Sequence, residues 1–438
     1  MKRIWKKVCL MALLWALSCL LGGCLSSSTV EELFTLPQPP IEYTELAAKI
    51  DQLISDGYEY ASPTGGENIQ SVQMVDLDQD GQDEAIAFFR RDSDEKPLKI
   101  MVFQSRDDTY EWLCTIESSG TAVDSVQYRD MNGDGVQEII VGWKISADVQ
   151  NVAVYTVGRN PVLLLQNAYT RYSIQTLDPG SGPGLLLFRS DSEGNSIAEF
   201  YGWQTESMTL LYRSVLSSSM AELTAGSIVT GMLTQNAPAV FVAGVDEQGM
   251  AVTDILVCRE GGTLTNAALN WSTGISGLIY PYFRLQPQDI NGDGITEIPA
   301  PMAPDSTGKQ TDGLVEWLQC DFDGNTKKVA TTYHSISSGW YFVLPAAWKG
   351  PVTAIVSQSI PDENQVVLFA DGEPMAALYT ITGENRENRA MRGNRVVLRR
   401  QTDVVYAGEL LSGSKATDFD ESDLRSCFQL IVSSWTGG

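Results

Sequence analysis

The twelve residues Asp289–Ala300 read DINGDGITEIPA, and the chain contains two closely similar stretches, DLDQDGQDEAIA from Asp76 and DMNGDGVQEIIV from Asp130. Counted from the first aspartate, each stretch has acidic or amide side chains at positions 1, 3 and 5, glycine at position 6 and glutamate at position 9. A pattern that recurs at this length indicates a repeated structural unit. The spacing of the three copies is therefore the first guide to the fold.

The spacing predicts five repeats. The first two copies begin 54 residues apart, and the third begins 159 residues after the second, or about three such intervals. Two degenerate copies fall in this gap, one from Leu177 with Asp178 at its first acidic position and one from Gly231. Strand-like runs follow each start. We therefore expect a mainly β fold in which residues 70–337 form a β-propeller-like domain of about five repeats. A β-sandwich and an open array of hairpins are the alternatives.

The acidic turns have the composition of calcium sites. Like charges this close repel one another unless a cation lies between them, and Ca²⁺ accepts about six to eight oxygen ligands in flexible geometry. Glycine at position 6 permits a left-handed bend, position 7 can add its backbone carbonyl, and the absence of His and Cys disfavours zinc. The expected ligands are Asp76, Asp78, Asp80, Gln82 and Glu84 in the first turn, Asp130, Asn132, Asp134, Val136 and Glu138 in the second, and Asp289, Asn291, Asp293, Ile295 and Glu297 in the third.

These turns are not EF-hands, because position 12 is not acidic and strand-like residues take the place of the following helix. They resemble the FG-GAP or VCBS repeat, which is found in the propellers of integrin alpha-subunits and in many bacterial surface proteins. The resemblance covers residues 70–335 and implies that a nine-residue calcium loop joins strands within a propeller blade. The degenerate copies have Gly180, Gly182 and Leu186 where acids would stand, so we expect no calcium there. Residues 321–325 are expected to form a plain turn.

Residues 1–24 predict an export signal with a lipid attachment site. Basic residues from Lys2 to Lys7 precede an apolar run, Val8 to Leu21, that is too short to span a bilayer comfortably. The run ends in Leu-Gly-Gly-Cys24, which resembles the lipobox of bacterial lipoproteins. This resemblance implies cleavage before Cys24 and lipidation of its thiol, with the exported chain anchored by lipid at the outer face of the bacterial cell membrane.

The charge of the chain excludes some partners. Removing the signal takes away four positive charges and no acidic residue, so the net charge changes from −25 to −29. This charge argues against nucleic acid as a partner, because phosphates would repel the protein. It also argues against direct electrostatic contact with an anionic membrane surface, which leaves the lipid as the expected membrane anchor.

The segments outside the repeats differ in pattern. Residues 25–42 are rich in Ser and Pro and predict a flexible tether. Residues 43–69 predict a helical lead-in, with Gly57 as its stop. Residues 338–438 predict a small C-terminal α+β domain with a hairpin at Asp371-Gly372. Its last helix is expected around Leu424, Cys427, Phe428, Ile431 and Trp435, with Asp418 or Asp420 as the N-cap. Together with the segment Leu344–Gly350, this layout resembles VCBS-type lipoproteins of Gram-positive bacteria.

Few residues suggest catalysis. His334 is the single histidine, and the chain contains no GxSxG, HExxH, P-loop or dinucleotide motif, so we expect a structural histidine. Cys114, Cys258, Cys320 and Cys427 remain for the folded part and are expected to be buried free thiols, although export permits a disulfide.

The sequence therefore predicts a non-catalytic binding or adhesion module. Its expected partner is a surface protein or an envelope polysaccharide. The alternatives are a carbohydrate- or peptidoglycan-active hydrolase that uses carboxylates and a purely structural envelope protein. The aromatic runs GLIYPYF, SGWYF and EFYGW could form a sugar-binding platform, but core packing is the favoured interpretation.

Overall fold

The computed structural model describes residues 41–106, 109–178, 180–246, 248–259, 261–302 and 313–431. The expected lipid site at Cys24, most of the tether and Trp435 lie outside these ranges. The structure is 52% strand and 9% helix, which confirms the prediction of a mainly β fold. All strand pairs that the structure describes within its sheets are antiparallel.

Five successive sheets, here called A to E, are built largely from strands that follow one another along the chain. Sheet A contains β1 (Glu59–Tyr60), β2 (Val72–Val75), β3 (Glu84–Arg90), β4 (Leu98–Arg106) and β5 (Thr109–Ser118). Sheet B contains β6 (Ala122–Arg129), β7 (Glu138–Lys144), β8 (Gln150–Tyr155) and β9 (Leu163–Tyr169). Sheet C contains β10 (Arg171–Gln175), β11 (Gly184–Ser190), β12 (Ser196–Gln204) and β13 (Ser207–Val215).

Sheets D and E continue this series. Sheet D contains β14 (Ile228–Thr234), β15 (Ala237–Val245), β16 (Ala251–Arg259) and β17 (Thr263–Asn266). After a small hairpin of β18 (Leu269–Asn270) and β19 (Ile275–Ser276), β20 (Ile279–Tyr280) pairs with β16. Sheet E contains β21 (Ile298–Pro301), β22 (Leu314–Cys320), β23 (Thr326–Ser335) and β24 (Trp340–Val343). The predicted plain turn at residues 321–325 connects β22 to β23.

The second strands of the first four repeats, β3, β7, β11 and β15, are buried on both faces. In β7, Ile139 and Val141 contribute to the core shared with sheet A, whereas Ile140 contributes to the core shared with sheet C. In β15, Phe241 packs toward sheet E and Val240 toward sheet C. Successive side chains of a strand point to opposite faces, so a strand buried on both sides needs a continuous apolar run. This requirement explains the apolar runs that follow the first two acidic turns.

Helix α1 (Ile41–Ser55) covers the face of sheet A that is turned away from sheet B. Leu46 and Ile50 are buried against Phe89 of β3, while Ile54 is 39% exposed. Gly57 has φ +90°, a conformation that suits glycine and ends the helix. The predicted helix is present and ends before Gly57, whereas Glu59–Tyr60 of the predicted lead-in form β1.

A sixth sheet, F, follows β24. Sheet F has the order β25 (Val352–Ile360), β26 (Glu363–Ala370), β27 (Glu373–Thr382), β29 (Val404–Leu410) and β28 (Val396–Arg400). Asp371 and Gly372 have φ values of +52° and +78° between β26 and β27, as the predicted two-residue hairpin requires. Helix α2 (Arg386–Ala390) lies between β27 and β28.

The C-terminal helix is shorter than predicted. Helix α3 (Glu421–Cys427) begins with Asp420 as its N-cap, in a capping box with Asp423. It ends at Cys427, and residues 428–430 form β30 (Phe428–Leu430), which pairs with β24 in sheet E. The prediction that Phe428 belongs to the helix is therefore wrong, because its backbone pairs with that of Phe342.

The position of the expected domain boundary stays a prediction. The strands on its two sides, β23 and β24, are neighbours in sheet E. One apolar core also joins sheet E to sheet F, with Trp340 and Phe342 packed among residues such as Leu368 and Phe428.

The closure of sheets A to E into a propeller also stays a prediction. Each sheet shares an apolar core with the next one along the chain.

None of the helices in the ranges above is long and apolar enough to cross a bilayer.

Candidate metal centre

The three acidic turns lie at equivalent places. The first connects β2 to β3, the second connects β6 to β7, and the third runs from Gln288 to β21. Glu84 and Glu138 are the first residues of their strands, and Glu297 precedes β21 in a bridge with Gln288. Each predicted turn thus leads into a strand, as the sequence pattern indicated.

The glycines at position 6 have the predicted left-handed conformation. Their φ values are +88° at Gly81, +90° at Gly135 and +83° at Gly294. Position 4 is left-handed as well, with φ +58° at Gln79 in the first turn. Non-glycine residues rarely adopt this conformation, and the sequence pattern did not identify position 4 because glycine occupies it in only two copies.

The same three hydrogen bonds build each turn. The aspartate at position 1 accepts from the N–H of position 6, the aspartate at position 5 from that of position 7, and the glutamate at position 9 from that of position 2. In this order the distances are 3.0, 2.8 and 2.9 Å in the first turn, 3.0, 2.8 and 2.8 Å in the second, and 2.8, 2.9 and 2.9 Å in the third. The three copies are therefore one structural motif.

Two of the turns bring three carboxylates together. Asp76, Asp78 and Glu84 each offer an oxygen within 4.8 Å of the others, and so do Asp289, Asp293 and Glu297. Calcium binds oxygen at about 2.3–2.6 Å, so oxygens on opposite sides of one ion lie about 5 Å apart. Asp76 Oδ1 is buried without a hydrogen-bond partner. The donor set and this unpartnered oxygen both fit a hard cation.

The second turn is held by an amide. Asn132 Nδ2 donates to Asp134 Oδ2 at 3.0 Å and to Glu138 Oε1 at 3.1 Å. An N–H group here bridges two carboxylates, as a cation could. The acids of this turn do not form a close group of three among the residues that the structure describes.

The third turn has a neighbour that the sequence did not reveal. Gln319 of β22 donates from Nε2 to Asp293 Oδ2 and to Glu297 Oε1, both at 2.8 Å. Asn291 donates to the same two carboxylates at 3.1 Å. Gln319 lies outside the repeat motif, so only the pairing of strands could identify it. Its amide could equally present its oxygen to a cation after rotation.

The glutamates at position 9 are buried and lack a basic partner. Glu84, Glu138 and Glu297 are at most 3% exposed, and none of the ion pairs among the described residues includes them. The pKa of Glu84 and of Glu138 is raised to about 7, mainly by burial and also by the neighbouring aspartates, while a backbone hydrogen bond lowers it. Burial also raises the pKa of Glu297. Buried carboxylates without a counter-charge are costly, and a bound cation would remove that cost.

The other expected ligands are peripheral to these groups. Asp80 accepts from the backbone and the side chain of Gln82, and Gln82 also accepts from Ser105. The backbone N–H groups of Gln82, Val136 and Ile295 fix the turns. Coordination through their carbonyls stays a prediction.

The degenerate copies have different turns. Asp178 accepts from Gly180 N and Ser181 Oγ in a local turn. In the copy from Gly231, Thr234 pairs with Ala237, so a two-residue turn of Gln235 and Asn236 replaces the acidic loop. Neither forms a close group of three acids in the part of the chain that the structure describes.

Neighbouring turns are hydrogen-bonded to each other. The N–H of Gln137 in the second turn donates to Leu77 O in the first at 2.7 Å, and its side chain donates to Asp76 O at 2.9 Å. Gln79 Nε2 of the first turn donates to Gly135 O at 3.1 Å. The backbones of the first two turns are thus directly coupled.

His334 lies in a core and not in an accessible site. It is 3% exposed, stacks on Tyr341 with ring centroids 5.2 Å apart, and makes a 2.8 Å hydrogen bond between Nε2 and Thr332 Oγ1. Burial lowers its pKa to about 3. This environment agrees with the structural role expected from the sequence.

The four cysteines of the folded part are free thiols.

The aromatic runs divide into two kinds. Trp340 and Phe342 of SGWYF and Phe200 of EFYGW are buried in cores. In GLIYPYF, by contrast, Tyr282 is 62% exposed and lines a cavity of 460 Å³.

Comparison of the chain with known protein families and with curated protein sequences gives no match.

Proposed function

We propose that this protein is an exported, lipid-anchored binding module whose acidic turns hold calcium. The observation that carries the proposal is the group of Asp76, Asp78 and Glu84. Each of the three residues offers an oxygen within 4.8 Å of the others, Asp76 Oδ1 is buried without a hydrogen-bond partner, and an equivalent group of three acids occurs in the third turn.

Calcium suits these groups better than the transition metals. Every candidate side-chain ligand offers oxygen, and neither group includes histidine or cysteine. Hard oxygen ligands favour Ca²⁺ or Mg²⁺, and the irregular, many-oxygen turns suit the flexible coordination of Ca²⁺ better than the strict octahedron of Mg²⁺. When bound, calcium would keep the buried glutamates ionised and tie the ends of each turn together.

The architecture supports a binding role. We propose that sheets A to E are blades of a propeller-type repeat array, since each shares a core with the next. Repeat arrays commonly use loops on one face to bind partners. The lipid on Cys24 would hold this array at the outer face of the cell membrane, where a surface protein or envelope polysaccharide is accessible.

A non-catalytic role agrees with the titratable groups. The recognisable acids are grouped in the turns, where a cation would neutralise them, and the single histidine is buried and neutral. Catalysis would need groups with tuned pKa values in an accessible pocket.

The test is calcium titration of the full chain in detergent micelles by calorimetry. The metal-free wild type should take up calcium and gain thermal stability through linkage. Asp289→Ala should lose one site. Asp178→Ala is the matched control, because it changes the corresponding position of a degenerate copy, and its calcium uptake should equal that of the wild type.

The same preparations should not hydrolyse peptidoglycan, common glycans or esters. Absence of calcium uptake by the wild type, or equal losses in the two variants, would contradict the calcium assignment. Calcium-dependent turnover that disappears when one carboxylate outside the three turns is replaced would instead favour the hydrolase.

A further inference from the structure

The cavity beside Tyr282 is built from both segments that the third acidic turn connects. Residues 280–287 precede the turn, and Pro299 and Pro301 follow it in β21. Gln288 and Glu297 exchange backbone hydrogen bonds of 3.0 and 2.9 Å across the base of the turn. The third turn therefore joins two parts of the cavity wall directly, through its paired base.

The segment 280–287 forms a wall of the cavity with alternating faces. Phe283 and Leu285 pack inward with Trp317, while Tyr282 and Arg284 between and beside them are exposed. Tyr280 pairs with Ala251 of β16 at one end of the segment, and Pro281 and Pro287 restrict the backbone. An aromatic ring and a guanidinium are thus presented from one preformed support.

The charged side chains at this cavity have no side-chain partner among the described residues. Arg284 and Glu222 both line it. Neither forms an ion pair or a side-chain hydrogen bond within the ranges that the structure describes. Arg284 can only donate hydrogen bonds and Glu222 can only accept them when ionised, so together they can satisfy hydroxyl groups, which do both.

We propose that this cavity is a saccharide-binding site whose wall is held by calcium in the third turn. The proposal specifies the ligand class of the binding module and rests on the proposed function for its calcium dependence. The cavity volume lies within the range of about 300–1,000 Å³ typical of small-ligand sites. One sugar ring would pack its apolar face on Tyr282, and its hydroxyl groups would bond to Arg284 and Glu222.

A peptide fits this wall less well. An extended peptide that adds to a sheet needs backbone N–H donors along one edge. Four residues of the wall are prolines and offer none: Pro281, Pro287, Pro299 and Pro301. A proline-rich peptide, which needs only aromatic surface, is the competing ligand that the experiment has to exclude.

The experiment uses the full chain in detergent micelles, with calorimetry and saturation-transfer NMR as readouts. The probes are a β-1,4-linked N-acetylglucosamine tetramer, a galacturonate tetramer and a decaproline peptide. We expect at least one of the two saccharides to bind with one site per chain and the peptide not to bind. Tyr282→Ala should weaken saccharide binding about tenfold, as expected for loss of an aromatic contact. Trp112→Ala, which removes another exposed aromatic residue at 62% exposure, is the matched control and should change nothing.

The calcium dependence is tested on the same samples. Chelation and Asp289→Ala should weaken saccharide binding, whereas Asp130→Ala should preserve it. Binding of neither saccharide, binding of decaproline in their place, or unchanged binding by Tyr282→Ala would overturn the saccharide site. Saccharide binding that is insensitive to both chelation and Asp289→Ala would overturn the role of the third turn. Because calcium uptake is measured separately, failure of the saccharide site can be distinguished from failure of the calcium proposal.

Discussion

Single residues in the acidic turns have several roles at once, and the sequence pattern alone does not distinguish these roles. Glu84 marks position 9 of the repeat, begins β3, and accepts a hydrogen bond from Leu77 N at 2.9 Å. Its side chain is 3% exposed. The sequence could predict the carboxylate, but its burial depends on the sheet that covers it. Both its position in the repeat and its burial without a basic partner support Glu84 as a candidate ligand.

His334 provides a pH prediction at the same scale. Its pKa in the folded protein is about 3 because of burial, whereas the unfolded chain binds the proton near pH 6.5. A lowered folded-state pKa contributes stability above pH 6.5 that is lost as the pH falls toward 3. His334→Phe keeps an aromatic ring against Tyr341 and does not titrate.

From pH 6.5 to 5 the wild type should lose about 1.6 kcal/mol more of its unfolding free energy than His334→Phe, because the slope approaches about 1.4 kcal/mol per pH unit only below the unfolded pKa. Urea unfolding of both chains across this range measures the difference. Carboxylates common to both chains cancel in the comparison. Parallel pH profiles would show that His334 does not control this loss.

At the scale of elements, the turns act in neighbouring pairs. Three hydrogen bonds from Gln79 and Gln137 connect the first turn with the second. The third turn instead contacts a degenerate copy, through a 2.9 Å bond from Thr296 N to Met232 O and a 3.1 Å bond from Gln235 Nε2 to Asp293 O. Only the first pair consists of two predicted calcium sites.

This pairing predicts coupled calcium binding in the first two turns. An ion that orders one turn should reduce the ordering cost of its hydrogen-bonded neighbour. Asp130→Ala should therefore lower the calcium affinity of the first turn by about fivefold or more, the lower end of typical coupling between sites. Asp289→Ala should leave that affinity unchanged.

Calorimetric titration of these variants measures the coupling, and Gln137→Ala should reduce it by removing the bond to Asp76 O. If Asp130→Ala and Asp289→Ala affect the first turn equally, the hydrogen bonds between turns do not transmit binding.

For the whole molecule, the arrangement of sheets A to E determines the overall shape. Consecutive cores join each sheet to the next, as a propeller requires. Helix α1 covers the outer face of sheet A, so a closed ring would have to accommodate this helix between its first and last blades. Ring closure is therefore a property that a direct measurement of shape can decide.

Small-angle X-ray scattering of the full chain in detergent, with the contribution of the micelle matched out, measures that shape. A closed propeller with sheet F packed against it predicts a compact particle, with a radius of gyration of about 21 Å for the roughly 400 residues of the folded part. A clearly larger radius with an elongated distance distribution would indicate an open row of sheets.

The sequence predicted the fold best where a structural requirement, such as burial on both faces of a strand, can be met by only one kind of residue pattern. Strands buried on both faces, such as β7 and β15, need continuous apolar runs, so their number and order were readable. The two-residue hairpin at Asp371-Gly372 was readable because few residues adopt its backbone conformation. Residues near the C-terminus were less informative, because the spacing of Leu424 and Phe428 fits a longer helix. Only the pairing of Phe428 with β24 identifies it as a strand residue.

The candidate site, like the fold, could be predicted only in part from the sequence. The acids of the three turns were predictable from their repetition, since close carboxylates need a cation. Gln319 and the contacts of Gln137 with the first turn were not, because they depend on which strands and turns become neighbours in space. The same limit applies to the cavity beside Tyr282, whose wall combines residues on both sides of the third turn.

The pairing of β30 with β24 affects the order in which the chain can fold as it is synthesised from its N-terminus. Sheets B and C consist of strands adjacent along the chain, so each can form once its own residues have been synthesised. Sheet E cannot, because β24 ends at Val343 and its neighbour β30 begins at Phe428, with all of sheet F between them. Such distant pairing is slow to form. Until Leu430 has been added to the chain, the edge of β24 lacks its partner, so sheet E is the last of the six sheets to be completed.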